Sequence, residues 1–325
     1  MELISAHVGS YPRIGGTKEL QLHRRTVAQW ERKEKTDQDL RAAEDTLTEW
    51  ALKEQQEAGV GLATDGLIRW YDPISHLAGK LEGTKINGLL RFFDTNCYFR
   101  QPVIEGPVKR TGPLVVNEFE FARKNSSLPI KPVLTGPYTL AKLSIINTGA
   151  SVAGLAEQYA AALADEVEAL VKAGAEVIQV DEPALLKAGE EYAVAEAGLK
   201  QLAAKKGKAR LVLHTYFGDA APLYDKLQAL PVDVLSFDFT YSPKLVDVIA
   251  SAGSEKALGF GLLDGRNTKL EDVGAVVGAL RKMAPKVKGS PSYLTLSCGL
   301  EFLPRDRAFG KLKLLAAAQS AFSKS

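Results

Sequence analysis

Short aliphatic and β-branched runs recur along the chain, each followed by a stretch whose apolar positions carry a helical period. Eight such runs, at about 3–8, 61–65, 130–135, 176–181, 210–214, 233–238, 257–262 and 292–297, are expected strands. Most are near-continuously apolar, the pattern of parallel strands covered on both faces, not of strands with one wet face. Between them, Val152, Leu155, Tyr159, Leu163, Val167 and Leu170 fall on one stripe, and Leu270, Val273, Val277, Leu280 and Met283 on another. Both stretches are expected helices. Thr36 followed by Asp39 predicts a capping box, and Ser242-Pro243 predicts an N-cap with a first-turn proline. Strand–helix alternation calls for right-handed crossovers in a closed barrel or a doubly wound sheet, and eight units favour the (β/α)8 TIM barrel.

One stretch interrupts the rhythm. Residues 84–128 include INGLLRFFDTNCYFRQPVIEG and two Gly-Pro pairs, too long for a βα loop. They predict a β-rich insertion between strands two and three, within one barrel domain spanning 1–325. Composition changes little: 25% charged residues and a net charge of +2 give no footprint for nucleic acid. No apolar stretch approaches the length of a membrane span, and the first residues lack the basic and apolar regions of a secretory signal. Two distant cysteines, Cys97 and Cys298, suit a reducing compartment, so a cytoplasmic location is expected.

In such a barrel the working residues sit at the C-terminal strand ends and in the loops after them. Those places carry His7 to Arg13, Asp65-Gly66, Thr135-Gly136-Pro137, Asp181-Glu182-Pro183, His214-Thr215-Tyr216, Asp238, Asp264 to Asn267 and Ser297-Cys298-Gly299. Polar side chains at every mouth position exceed what packing requires and predict a binding site.

The motifs HVGSYPR, FFDTN, LTGPYTLAKLS, IQVDEPALL, TYFGD, LDGRN and SCGL, in this order, resemble the cobalamin-independent methionine synthase family along essentially the whole chain. That enzyme has two similar barrels, a zinc-bearing catalytic C-terminal one and an N-terminal one that helps bind the folate tail. FFDTN, TYFGD and LDGRN resemble the N-terminal barrel, and single-barrel relatives exist. The resemblance implies methyl transfer to the thiol of homocysteine from a methylated folate or a corrinoid (methylcobalamin). It implies that Gly9 and Ser10 contact the amino-acid carboxylate, that Asp181 and Asp65 hold its amino group, and that Lys18 and Arg266 serve the donor.

A thiol must ionise before it attacks a methyl group, and zinc coordination achieves this near neutral pH. By the family pattern His214, Asp238 and Cys298 are the candidate zinc ligands, with Tyr216 where the family has a cysteine. Arg266 stands where a catalytic histidine would be, and arginine cannot act as a general acid near neutral pH. Two alternatives follow: a non-catalytic barrel that partners a separately encoded catalytic barrel or a corrinoid protein, and a uroporphyrinogen decarboxylase-like enzyme.

Overall fold

In the computed structural model, which describes residues 1–324, the chain forms ten strands. They are β1 (Leu3–Ser5), β2 (Leu81–Arg91), β3 (Tyr98–Arg110), β4 (Val133–Thr135), β5 (Ile145–Ile146), β6 (Val177–Asp181), β7 (Arg210–Thr215), β8 (Val234–Asp238), β9 (Ala257–Leu263) and β10 (Ser292–Leu296). Seven of them form one parallel sheet in the order β1-β10-β9-β8-β7-β6-β4. Residues 62 and 63 fill the gap between its ends: Leu62 bridges Ala6 beyond β1, and Ala63 bridges Ile130 ahead of β4. The ring is thus closed, a (β/α)8 barrel with helices between its strands.

The second strand, expected over 61–65, is reduced to these two bridges, and the sequence shows why. The Gln55 side chain, on the helix Asp37–Glu57, donates to Thr64 O (2.9 Å) and accepts from Thr64 N (3.1 Å). That amide occupies the backbone groups a neighbouring strand would otherwise pair. The third strand shortens to Val133–Thr135 because Pro132 has no N–H to give to a ladder.

Helix starts follow local chemistry. Thr36 and Asp39 form the expected capping box at the helix Asp37–Glu57, with Asp39 N donating to Thr36 Oγ1 at 3.2 Å. Ser242 does not cap as expected. Its hydroxyl accepts from Ala220 N (2.8 Å) and donates to Gly218 O, and the next helix begins only at Leu245. Leu270 likewise lies outside its expected helix, which starts at Val273 behind the N-cap Asp272.

The insertion is an antiparallel hairpin, β2 against β3, registered from Leu81↔Arg110 to Arg91↔Tyr98, with β5 added parallel to β3. It starts a little before residue 84, and the helix Val116–Lys124 follows it. One buried carboxylate ties it to the barrel. Glu166, on the helix Val152–Lys172, accepts from the N–H groups of Leu114 (2.9 Å), Val115 (2.6 Å) and Val116 (3.0 Å), and from Arg110 Nε (2.6 Å). The hairpin turn, residues 92–97, closes on itself through Thr95 Oγ1 donating to Phe92 O (2.6 Å) and lies over the barrel mouth.

Candidate functional site

A cavity of about 170 Å3 opens at the C-terminal ends of the strands. Its floor comes from the barrel: Gly9 and Ser10 after β1, Asp181 at the end of β6, Tyr216 after β7 and Cys298 after β10. Its roof comes from the hairpin turn, through Phe92, Cys97 and Tyr98. The aromatic rings of Phe92, Phe93, Tyr216, Tyr241 and Phe302 pack around Phe217, with centroids 4.7–6.2 Å away.

Gly9, Ser10 and Asp181, expected from sequence to serve the acceptor, are brought together here. Asp181 is aimed by a relay from inside the barrel. Lys131, buried, donates to Gln179 Oε1, which turns the Gln179 amide nitrogen toward Asp181 Oδ1 (2.7 Å) and Val8 O (2.6 Å). Burial pushes the Asp181 carboxyl up to about 7, a rise opposed by the Gln179 hydrogen bond and the Lys131 charge. Burial likewise brings the Lys131 ammonium down to about 7, and Asp181 counters that shift.

Asp65 is placed elsewhere. It is buried, accepts from Leu67 N (3.1 Å), and borders a separate 10 Å3 void together with Glu118. Lys18 is exposed and borders none of the cavities described here. Arg266 lines a different depression, beside Asp238 and Asp264. Its guanidinium is taken up by the roof: it donates to Tyr241 Oη (2.5 Å) and Asp94 O (3.1 Å), latching the loop after β9 to the hairpin turn.

The expected zinc ligands do not assemble. Cys298 faces the main cavity and Asp238 faces the neighbouring depression. His214 is buried and borders neither. The Asp238 carboxylate is spent on backbone N–H groups, with Oδ1 accepting from Thr240 (2.8 Å) and Tyr241 (3.2 Å) and Oδ2 from Phe217 (3.3 Å). His214 Nδ1 pairs with Ser236 Oγ (3.0 Å). Among the described residues no three His, Cys, Asp or Glu side chains are grouped to hold a metal ion. As placed, these donors do not form the zinc set expected from sequence, although His214 Nε2 is buried without a hydrogen-bond partner among the described residues.

His214 instead makes a stability prediction. Burial, reinforced by the Lys131 charge, depresses its pKa to about 3. A depressed histidine pKa contributes stability that is present above the unfolded value near 6.5 and is lost as pH falls toward 3. His214→Gln, which never ionises, should flatten the fall of Tm between those pH values, by on the order of 3–5 kcal/mol at the acid end. Thermal melts across this range check it; an unchanged slope would show that His214 is not held neutral.

Two charged cavity residues were given no role from sequence. Arg13 lies within the HVGSYPR motif, and Glu301 follows SCGL. Both border the main cavity and a second, larger one of about 730 Å3, whose walls carry Arg24, Arg69 and Arg100 beside Trp30 and Tyr71. The sequence signal for Glu301 was only its position after the last strand.

A closed parallel barrel with a cavity of aromatic walls and a few charged groups at its C-terminal mouth places the chain among the barrel enzymes. Residues 3–320 match the family model described as the cobalamin-independent synthase catalytic domain. A methionine synthase of Sulfurisphaera tokodaii is 31% identical over 310 residues, covering 94% of this chain and 88% of that one. A methionine synthase of Saccharolobus solfataricus is 31% identical over 241 residues, covering 74% and 72%. Among solved structures, a B12-independent methionine synthase from a Shewanella species superposes with a TM-score of 0.80 at 22% identity, covering 100% of this chain and 98% of that one. The chain belongs to the cobalamin-independent methionine synthase family, and with it to the methyltransferases. The matched model is that of the catalytic domain, and nothing in these likenesses supports a separately encoded catalytic subunit. No helix among the described residues is long and apolar enough to cross a membrane.

Proposed function

We propose that this chain transfers a methyl group to the thiol of homocysteine, forming methionine, with the amino acid held in the cavity beneath the hairpin turn. The observation that carries the reading is the convergence of the Gly9-Ser10 turn and Asp181 on one roofed cavity. The turn takes the α-carboxylate, and Asp181, aimed by Gln179, takes the ammonium. A fixed carboxylate of this kind needs a second group to hold its rotamer, and Gln179 supplies it. The Shewanella relative was solved in complex with selenomethionine, which is consistent with a methionine-sized occupant.

In the reaction the thiol gives its proton to solvent, the acceptor sulfur forms a bond to the methyl carbon, and the bond from that carbon to the donor breaks, its electron pair staying with the demethylated donor. The chain's residues orient the acceptor and exclude water with the aromatic roof. The donor, a methylated folate or methylcobalamin, approaches through the second cavity. Arginines without a carboxylate partner among the described residues, such as Arg24, and the rings of Trp30 and Tyr71 suit an anionic, planar body there.

Calorimetry with methionine and homocysteine, followed by methyl-transfer assays with each donor, tests the proposal. Saturable binding and methionine formation are expected. Absence of binding by both amino acids would reject the reading. The same assays after chelation and zinc addition check the misfit of the zinc set. Activity unchanged by chelation is the expected result, whereas loss on chelation and recovery with zinc would overturn it.

A further inference from the structure

Glu301 sits three residues after Cys298 on the loop that follows β10 and borders the cavity. Its Oε2 is sealed from solvent and has no hydrogen-bond partner among the described residues. A buried carboxylate oxygen left unpaired costs stability, so a Glu301 side chain that turns this oxygen from its sealed position into the cavity it borders gains by meeting a ligand donor there. Arg13, also on the wall, acts on Glu301 through its charge but makes no ion pair with it within 4.0 Å.

Position specifies the donor. Gly299 lets two groups close in on one point: a methyl group there would lie 2.1 Å from Ser10 Oγ and 2.4 Å from Glu301 Oε2. The free Glu301 oxygen thus stands next to the turn assigned to the α-carboxylate. In an α-amino acid the ammonium is one carbon from the carboxylate, so a group anchored at Ser10 brings its ammonium to Glu301. Asp181 lies on the same cavity. Two carboxylates bordering one small cavity repel each other, and Arg13 on the same wall offsets this only in part, so a cation entering between them is favoured.

We propose that Glu301 is a second ammonium-binding residue, which with Asp181 selects an α-amino acid over a thiol or thioether that lacks the amino group. This rests on the reading of the cavity as the amino-acid site. Burial lifts both carboxyls to about 7, and each is expected to be drawn back to the ionised form when the ammonium binds.

The test compares L-methionine with 4-(methylthio)butanoate, the same molecule without its amino group, by calorimetry at pH 8. The wild type should prefer methionine. Glu301→Gln should weaken methionine binding on the order of 30-fold while leaving the des-amino analogue within a factor of two or three. Glu301→Asp keeps the charge but draws it back by one methylene, and should fall between. Wild-type selectivity in either variant, or an equal loss for both ligands, overturns the assignment. Failure of the wild type to bind methionine rejects the amino-acid reading itself, and that arm is read before any variant is made. Should Glu301→Gln not fold, as thermal melting would show, Glu301→Asp decides alone.

Discussion

Glu166→Ala is expected to cost about 3–5 kcal/mol of stability and to abolish amino-acid binding, although residue 166 does not line the cavity. Removing the carboxylate leaves the N–H groups of Leu114, Val115 and Val116 without their acceptor, and the partly buried Arg110 guanidinium without its counter-ion. Breaking a buried pair in this way is far more damaging than losing a surface one, because the remaining groups stay desolvated. Arg110 is the last residue of β3, and β3 begins at Tyr98 in the cavity roof. Loss of the anchor is therefore transmitted along one strand to the site. Urea denaturation should show the drop in stability, and calorimetry with methionine the loss of binding. A variant as stable as wild type would show that the hairpin is held by its apolar contacts alone. Glu166→Gln keeps one acceptor for the three N–H groups but loses the charge facing Arg110, so an intermediate loss is expected.

Asp181→Asn is expected to weaken homocysteine and methionine binding by about 2–5 kcal/mol, the cost of removing one partner of a desolvated charge pair. The fold should survive. Burial already disfavours the ionised carboxyl, so a neutral amide of the same shape removes a strained charge from the mouth. The Lys131–Gln179 arrangement complicates the substitution in an instructive way. Gln179 offers its amide nitrogen to residue 181 because Lys131 holds its oxygen. The substituted asparagine can meet that nitrogen with its side-chain carbonyl, which leaves its own NH2 pointing at the substrate ammonium. A donor then faces a donor, so the loss should lie toward the upper end of the range. Unchanged affinity by calorimetry would remove Asp181 from the site.

Much of this architecture was legible in the chain. Near-continuous apolar runs such as Ile178 to Val180 and Leu211 to Leu213 mark buried parallel strands, and those strands lie where expected. The mouth positions of Gly9, Ser10 and Asp181 follow from strand ends alone, because a barrel always presents those ends to one cavity. What could not be read depends on side chains meeting across long sequence separations. Gln55 taking over the backbone of Thr64 has no periodic signature. Asp238 occupies a strand-end position suited to a ligand, and only the folded loop shows both its oxygens committed to N–H groups of residues 217, 240 and 241. Glu301 carries no motif, and its meaning arises from what Gly299 lacks. The length and aromatic content of the insertion were plain, but its role as a roof depends on Arg266 reaching Asp94 from 172 positions away.

The pairing of β1 with β10 has a consequence for how the molecule comes into being. The barrel strand made first, β1, has as one neighbour the barrel strand made last, β10, registered Leu3↔Ser292 through Ser5↔Leu294. Until that stretch emerges, the nascent chain can form at most an open sheet with two bare edges, and bare edges invite pairing with other chains. The helix Arg305–Ser323 arrives later still, bringing Arg305 to Pro12 O and Gln319 to Leu3 O. Closure of the ring thus waits on its two most distant segments meeting, and a chain cut short before residue 292 holds a sheet that cannot shut.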